Sequence, residues 1–163
     1  MTLSRPFSVQ RLRPGDIALM HGLLTMFGEV FEEPETYGRA RPSDAYLRHL
    51  LGREEFIALA AIKDGAVIGG LAAYELSKFE QERSEIFIYD LAVAAGHRRE
   101  GVATALIEET KAIAAIRKAW AVLVQAETDN VPAIALYAKM GSREEAAHFE
   151  IPVAMAGKPN RRP

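Results

Sequence analysis

The run Tyr89-Asp90-Leu91-Ala92-Val93-Ala94-Ala95-Gly96-His97-Arg98-Arg99-Glu100-Gly101-Val102-Ala103-Thr104 joins an apolar strand to a helix through a short basic loop. The first amides of a helix have no acceptor within it, and that end carries about half a positive charge. Gly101 allows a bulky anion to approach the backbone, and Arg98 and Arg99 add formal charge. Together they read as a cradle for a pyrophosphate. Each backbone bond to a charged phosphate contributes roughly 1.5–3 kcal/mol, so a few suffice for micromolar-range binding after entropy losses. Neither the Walker pattern nor the glycine-rich Rossmann fingerprint is present. On spacing alone, the run equally suits a surface connector with ordinary basic residues.

What the chain lacks narrows the chemistry. None of the 163 residues is cysteine, which removes disulfides, thiolate nucleophiles and Cys-ligated metal centres. Any covalent sulfur chemistry must come from a cofactor. His97 flanks the basic loop, while His21, His49 and His148 are scattered without ligand spacing, so no metal site is expected. Lys plus Arg is 20 against 22 for Asp plus Glu, a net charge of −2. That balance lacks the basic excess of a nucleic-acid binder. No segment approaches the roughly 18 apolar residues of a membrane span. The N-terminus carries no signal-like apolar run, so a cytoplasmic location is expected.

The scaffold follows from periodicity. Phe7 to Leu12 alternates as a first strand, and Pro14-Gly15-Asp16 opens a helix carrying Ile17, Met20, Leu24, Phe27 and Phe31 on one face until Pro34 stops it. Ser43 N-caps a second helix with Tyr46, Leu47, Leu50 and Leu51, closed by Gly52 at its C′ position. Phe56 to Ile62 is a continuous apolar strand, and Asp64-Gly65 marks a hairpin into a strand running from Ala66 to Leu76. Gly69-Gly70 there implies a bulge or a close backbone approach. A strand from Ile86 to about Ala94, a helix from Gly101 to about Lys118 and a strand at Trp120 to Val124 follow, with Trp120 expected in the core. Pro132 introduces a helix ended by Gly141, and a last strand is expected near Ala147 to Val153. This order, β-α-α-β-β-β-α-β-α-β, is that of a mixed α/β sheet. It forms one domain over residues 1–156, with frayed ends at residues 1–13 and in a basic tail at 157–163.

Two motifs now carry a resemblance. Arg98-Arg99-Glu100-Gly101-Val102-Ala103 matches the acyl-CoA loop signature of the GCN5-related N-acetyltransferases (GNAT), in which Gly and a small residue follow Arg or Gln at fixed spacing. Asn130-Val131-Pro132-Ala133-Ile134-Ala135-Leu136-Tyr137-Ala138-Lys139-Met140-Gly141 resembles that superfamily's later Asn-to-Gly segment. Phe56 to Ala61, Leu71 to Tyr74, Lys78 to Gln81, Arg83 to Ile86, Ile88 to Val93, His97-Arg98-Arg99 and Arg143 to Glu145 are similar to aminoglycoside 3-N-acetyltransferases of the GNAT type, over about residues 9–151.

The resemblance implies a GNAT fold: a mixed, mostly antiparallel central sheet with flanking helices and a splayed strand pair at the cofactor site. It implies acetyl transfer from acetyl-CoA to the 3-amino group of an aminoglycoside through a ternary complex. The cofactor residues it implies are Leu91, Ala92 and Val93 for the pantetheine arm, and Arg98, Arg99, Glu100, Gly101, Val102, Ala103 and Thr104 for the pyrophosphate. Asn130, Ala133 and Tyr137 complete that set.

Tyr137 would protonate the departing thiolate, a transfer uphill by about 2 kcal/mol at worst from reference values near 10 and 8.5. Asp90 would orient the acceptor amine and relay its proton, with Glu85 in reserve. Strand alternation turns Asp90 and Leu91 to opposite faces unless a bulge intervenes. Glu75 to Asp90 carries five acids against Lys78 and Arg83, and Ala119 to Asn130 carries Glu127 and Asp129 without a base. Glu80, Glu85, Asp90, Glu127 and Asp129 would therefore attract a polycation. A polyamine, another small amine or a protein amine remains an alternative acceptor, as does a non-catalytic CoA-binding module. A homodimer is the family-like expectation.

Overall fold

The computed structural model describes residues 6–153 and builds one sheet from β1 (Ser8–Arg11), β2 (Phe56–Lys63), β3 (Ala66–Ser77), β4 (Ser84–Val93) and β5 (Ala121–Val124). The strands lie in chain order, antiparallel up to β4, and β5 then pairs with β4 in parallel. Helices α1 (Ile17–Val30), α2 (Asp44–Leu51) and α3 (Val102–Arg117) belong to the same compact unit, which ends at Glu127. From Thr128 a second unit carries α4 (Val131–Ala138). The expected basic tail at 157–163 and the first five residues lie outside the described part.

Local chemistry accounts for the elements. Asp64 and Gly65 both take positive φ, 51° and 78°, which lets Lys63 face Ala66 across a tight turn. The Ser43 side chain accepts from the Tyr46 amide at 3.2 Å and starts α2. Gly52 caps that helix with φ −79°, so it needs none of glycine's freedom, contrary to the C′ reading. The apolar stripe of α1, with Leu47 and Leu51 of α2, buries one face of the sheet at Phe56, Ala58, Ala60 and Ala92. Val102, Ala105 and Leu106 of α3 are buried in turn, and Val102 lies against the opposite face at Gly69.

Gly69 and Gly70 are places of close approach. A Cβ on Gly70 would meet Leu23 of α1 at 2.0 Å, and one on Gly69 would meet Val102 at 2.6 Å. Adjacent glycines thus let a helix settle on each face of the same strand. A register shift between Ala61 and Ile62 adds a bulge beside them.

Four expectations are corrected. α1 ends at Val30, before Pro34, and a short π-helical turn at Glu35–Arg39 follows. The chain between Ser8 and Arg13 is held in place: Arg11 lies 3.8 Å and Arg13 3.9 Å from Glu54 carboxylate oxygens. Residues 142–153 form no strand; alternation makes a strand only where a neighbouring edge supplies hydrogen bonds, and none pairs with them among the described residues. Trp120 is exposed rather than core, with the Arg83 guanidinium 4.1 Å above its ring.

Candidate active site

β4 changes character halfway along. Ile88 pairs with Ala73 but Asp90 pairs with Ala72, so Tyr89 is an extra residue in the ladder. This bulge moves Asp90 and Ala92 to the α1 face while Ile86 and Ile88 stay on the α3 face. It falls before Asp90 and does not lift the alternation: Asp90 leaves the sheet on the side of α1, and Leu91 on the side of α3. β5 pairs with β4 only from Glu85 to Ile88. Beyond Ile88, no described strand pairs with that edge, where Leu91, Ala92 and Val93 follow. Parallel pairing therefore ends at Ile88, just before the extra residue of the bulge.

The basic loop follows directly. Arg99 and Gly101 both hold left-handed backbone, with φ of 65° and 81°. No side chain caps the start of α3, in contrast to Ser43 at α2 and Asn130 at α4. The Val102, Ala103 and Thr104 amides have no acceptor within their helix, and no acid lies in that first turn. A Cβ on Gly101 would meet nothing within 4 Å. Arg98 and Arg99 are exposed and, among the described residues, form no ion pair; Arg98 Nε lies 3.5 Å from the Val93 carbonyl. The Glu100 carboxylate is occupied by His97 at 3.3 Å and Lys63 at 3.6 Å, contacts that hold its pKa low. Uncapped amides, guanidinium groups without an ion pair among the described residues and a paired acid fit an anionic diphosphate.

Asp90 sits in a different setting. Burial pushes its pKa up, against the hydrogen bond that the Tyr37 hydroxyl donates at 3.3 Å; the charge of Glu33 pushes the same way as burial. Neither acid has a cationic partner among the described residues. Tyr37 comes from the short turn after α1 and packs on Phe27 and Phe31 at 6.0 and 5.7 Å between ring centres. Sequence reasoning missed it, because it lies beyond the apparent helix stop at Pro34. The aromatic continuation from Phe27 and Phe31 was the available signal.

The acids counted along the chain behave unequally. Glu80 lies 3.4 Å from Arg83 and 3.7 Å from Lys78. Glu85 lies 3.3 Å from Lys78 and accepts from the Trp120 indole at 3.0 Å. Glu75 is bound by Ser84 and Arg117. The excess of −3 is thus largely compensated locally. Glu127 and Asp129, by contrast, are exposed and form no ion pair among the described residues.

In the second unit, Asn130 Oδ1 accepts from the Ala133 amide at 3.2 Å and caps α4. Tyr137 lies one turn further along, and burial raises its phenol pKa. Among the described residues, no group of three His, Asp or Glu could hold a metal ion. Among the described residues, likewise, no helix is long and apolar enough to cross a membrane.

The edge of β4 left unpaired past Ile88 and the uncapped start of α3 are the setting for the comparisons with known proteins. The acetyltransferase (GNAT) family profile matches residues 23–142. The chain belongs to that family. It is 58% identical to an aminoglycoside acetyltransferase from an uncultured soil metagenomic sample, covering 91% of this chain and 99% of that one, with a TM-score of 0.89. A second soil metagenomic aminoglycoside acetyltransferase, solved with sisomicin, is 26% identical over 91% and 97% of the two chains, with a TM-score of 0.84. The same enzyme has been solved with trehalose. AAC(6')-Iy, in complex with a CoA-based bisubstrate analogue, shares the fold at a TM-score of 0.71 and 17% identity. No curated protein sequence matches the chain significantly.

Proposed function

We propose that this acetyltransferase moves acetyl from acetyl-CoA to the 3-amino group of an aminoglycoside. The observation that carries the donor half is the uncapped start of α3 beside the unpaired edge of β4. The acceptor half rests on the 58% identity to an aminoglycoside acetyltransferase, and on the sequence resemblance for the 3-position. The sisomicin complex of the more distant relative supports the same substrate class.

Acetyl-CoA supplies an activated thioester, whose carbonyl carbon gains the amine nitrogen as the C–S bond breaks. In this reading the Val102, Ala103 and Thr104 amides, Gly101 and the Arg98 and Arg99 side chains hold the pyrophosphate. Glu100 contributes its backbone, since its carboxylate is taken by His97 and Lys63. The free edge at Leu91 to Val93 pairs with the pantetheine arm, and the resemblance assigns Asn130 and Ala133 to the same cofactor. Asp90 orients the acceptor ammonium and accepts its proton through water; its raised pKa makes it a better acceptor than an exposed aspartate. Tyr137 stays protonated at neutral pH and returns a proton to the leaving thiolate. Glu127 and Asp129 attract the polycation. The protein works in the cytoplasm as a homodimer.

Acetyl-CoA consumption is measured with gentamicin, spermidine and a peptide panel, and the acetylated position is read by NMR. Turnover of gentamicin with acetyl on the 3-amino group is expected. Turnover of spermidine or peptide alone overturns the substrate class, and acetyl on another amine overturns only the position. Arg98→Ala raises KM for acetyl-CoA if the loop holds the pyrophosphate. Light scattering after size exclusion gives the oligomeric state.

A further inference from the structure

On the α1 face of the sheet, Tyr74 and Leu76 of β3 and Phe87 and Tyr89 of β4 line an open groove of about 580 Å³. Tyr74 and Tyr89 meet edge to face with ring centres 6.1 Å apart, Phe87 lies 6.3 Å from Tyr89, and Phe56 supports Tyr74 from beneath at 5.3 Å. Tyr89 is 72% exposed and Leu76 48%. The bulge in β4 places Tyr89 next to Asp90. Asp90 and Glu33 form an anionic end without a paired cation among the described residues, and the charge of Asp90 reaches Tyr74.

We propose that this aromatic groove is a platform for an amino-sugar ring of the acceptor, with the ring's C–H face on Tyr89, Tyr74 and Phe87 and its ammonium toward Asp90. The proposal rests on the aminoglycoside reading above and names residues that select within that substrate class. The chemistry suits this occupant. Aromatic faces attract both cations and apolar ring faces, and the tyrosine hydroxyls serve the sugar's own hydroxyls. Excess negative charge at one end complements a polycation and opposes an acidic partner. A second copy of the chain fits less well. An aromatic side chain presents roughly 150–250 Å², so these four half-exposed groups offer roughly 400 Å², about half of the ~800 Å² per partner that a stable interface needs.

The test is steady-state kinetics of the full chain with sisomicin and acetyl-CoA, with light scattering on each variant. Tyr89→Ala is expected to raise KM for sisomicin about tenfold and to leave KM for acetyl-CoA in place. Tyr89→Phe, which keeps the ring, is expected to stay within about threefold of wild type. Leu76→Ala gives a second reading with a smaller rise, should Tyr89→Ala fail to fold. An unchanged sisomicin KM in a folded Tyr89→Ala, while wild type turns over sisomicin, overturns the platform alone. A wild type that turns over no aminoglycoside overturns the platform together with the reading beneath it. A change of oligomeric state in Tyr89→Ala assigns the groove to a contact between copies and overturns the proposal.

Discussion

Asp90 shows how one side chain ties stability to function. Its pKa is raised by burial, with Tyr37 pulling the other way. The folded state therefore holds the proton more tightly than the unfolded chain, and ionisation weakens the fold. Stability falls as pH rises from the unfolded value of about 3.9 through the folded value, and the loss is complete above it. Asp90→Asn is expected to raise the melting temperature at neutral pH, and the gain should vanish in acid below the unfolded value. The same variant should lower kcat/KM by about 10–100-fold, within the range of general acid–base contributions, and should remove the acid limb of the pH–rate profile. A calorimetric scan at each pH and initial-rate measurements check the two halves separately. Burial shifts Tyr137 in the same direction, and there the raised pKa keeps the proton on a donor. Tyr137→Phe should lower kcat by about tenfold or more, and should do so less for a donor thioester with a more acidic leaving thiol. An unchanged kcat removes Tyr137 from the acid role.

At the scale of elements, the site depends on how closely α3 lies on β3. Gly69 permits that approach, since a Cβ there would meet Val102 in the first turn of α3 at 2.6 Å. Gly69→Ala is expected to destabilise by about 1–3 kcal/mol through overpacking. It should also raise KM for acetyl-CoA, because displacing Val102 displaces the amides beside it. Urea unfolding and donor kinetics measure both, and a loss of stability without a change in donor KM would separate the packing from the site. At the far end of α3, Arg117 binds Glu75 and reaches the Glu54 carbonyl at 2.7 Å. Burial raises the Glu75 pKa, but the Ser84 and Arg117 bonds outweigh it and leave it low. That contribution is present above the unfolded pKa and is lost as pH falls through the folded one. Glu75→Gln should therefore cost about 2 kcal/mol, as for a bond to a charged group, at neutral pH and progressively less in acid. The elements themselves were largely legible, because hairpin, cap and helix signals act locally. Asp64-Gly65, Ser43 and Pro132 each specify their neighbours without reference to the rest of the chain. The strand expected at Ala147 to Val153 failed for the complementary reason. Alternation supplies a face, but only a neighbouring edge supplies hydrogen bonds. A bulge was named only as a condition separating Asp90 from Leu91, and the one at Tyr89 falls before both, since a ladder offset depends on two strands at once. Tyr37 was invisible because its relation to Asp90 spans a turn, a helix and two strands.

For the whole molecule, net charge is a poor guide and pairing is a better one. The total of −2 combines exposed arginines at one loop with acids elsewhere, neither set in an ion pair among the described residues. Summing charges along the chain treats Glu80 and Glu127 alike, yet Glu80 lies within 3.4 Å of Arg83, whereas Glu127 and Asp129 form no ion pair among the described residues. Compensated charge contributes little to the distant field, and uncompensated charge governs encounter with a polycation. Glu127→Gln combined with Asp129→Asn should lower kcat/KM for an aminoglycoside by about 2–5-fold at low salt. The difference from wild type should shrink as ionic strength approaches roughly 0.15 M, where the Debye length is about 8 Å. Removing both charges of a pair, Glu80→Gln with Arg83→Gln, should change neither value appreciably, although the two segments look equivalent in sequence. Measuring kcat/KM across a salt series for the three proteins decides the matter. Equal effects of the two double substitutions would mean that local contacts, not uncompensated charge, govern the encounter. No effect of either would mean that encounter is governed by the groups around Asp90 alone.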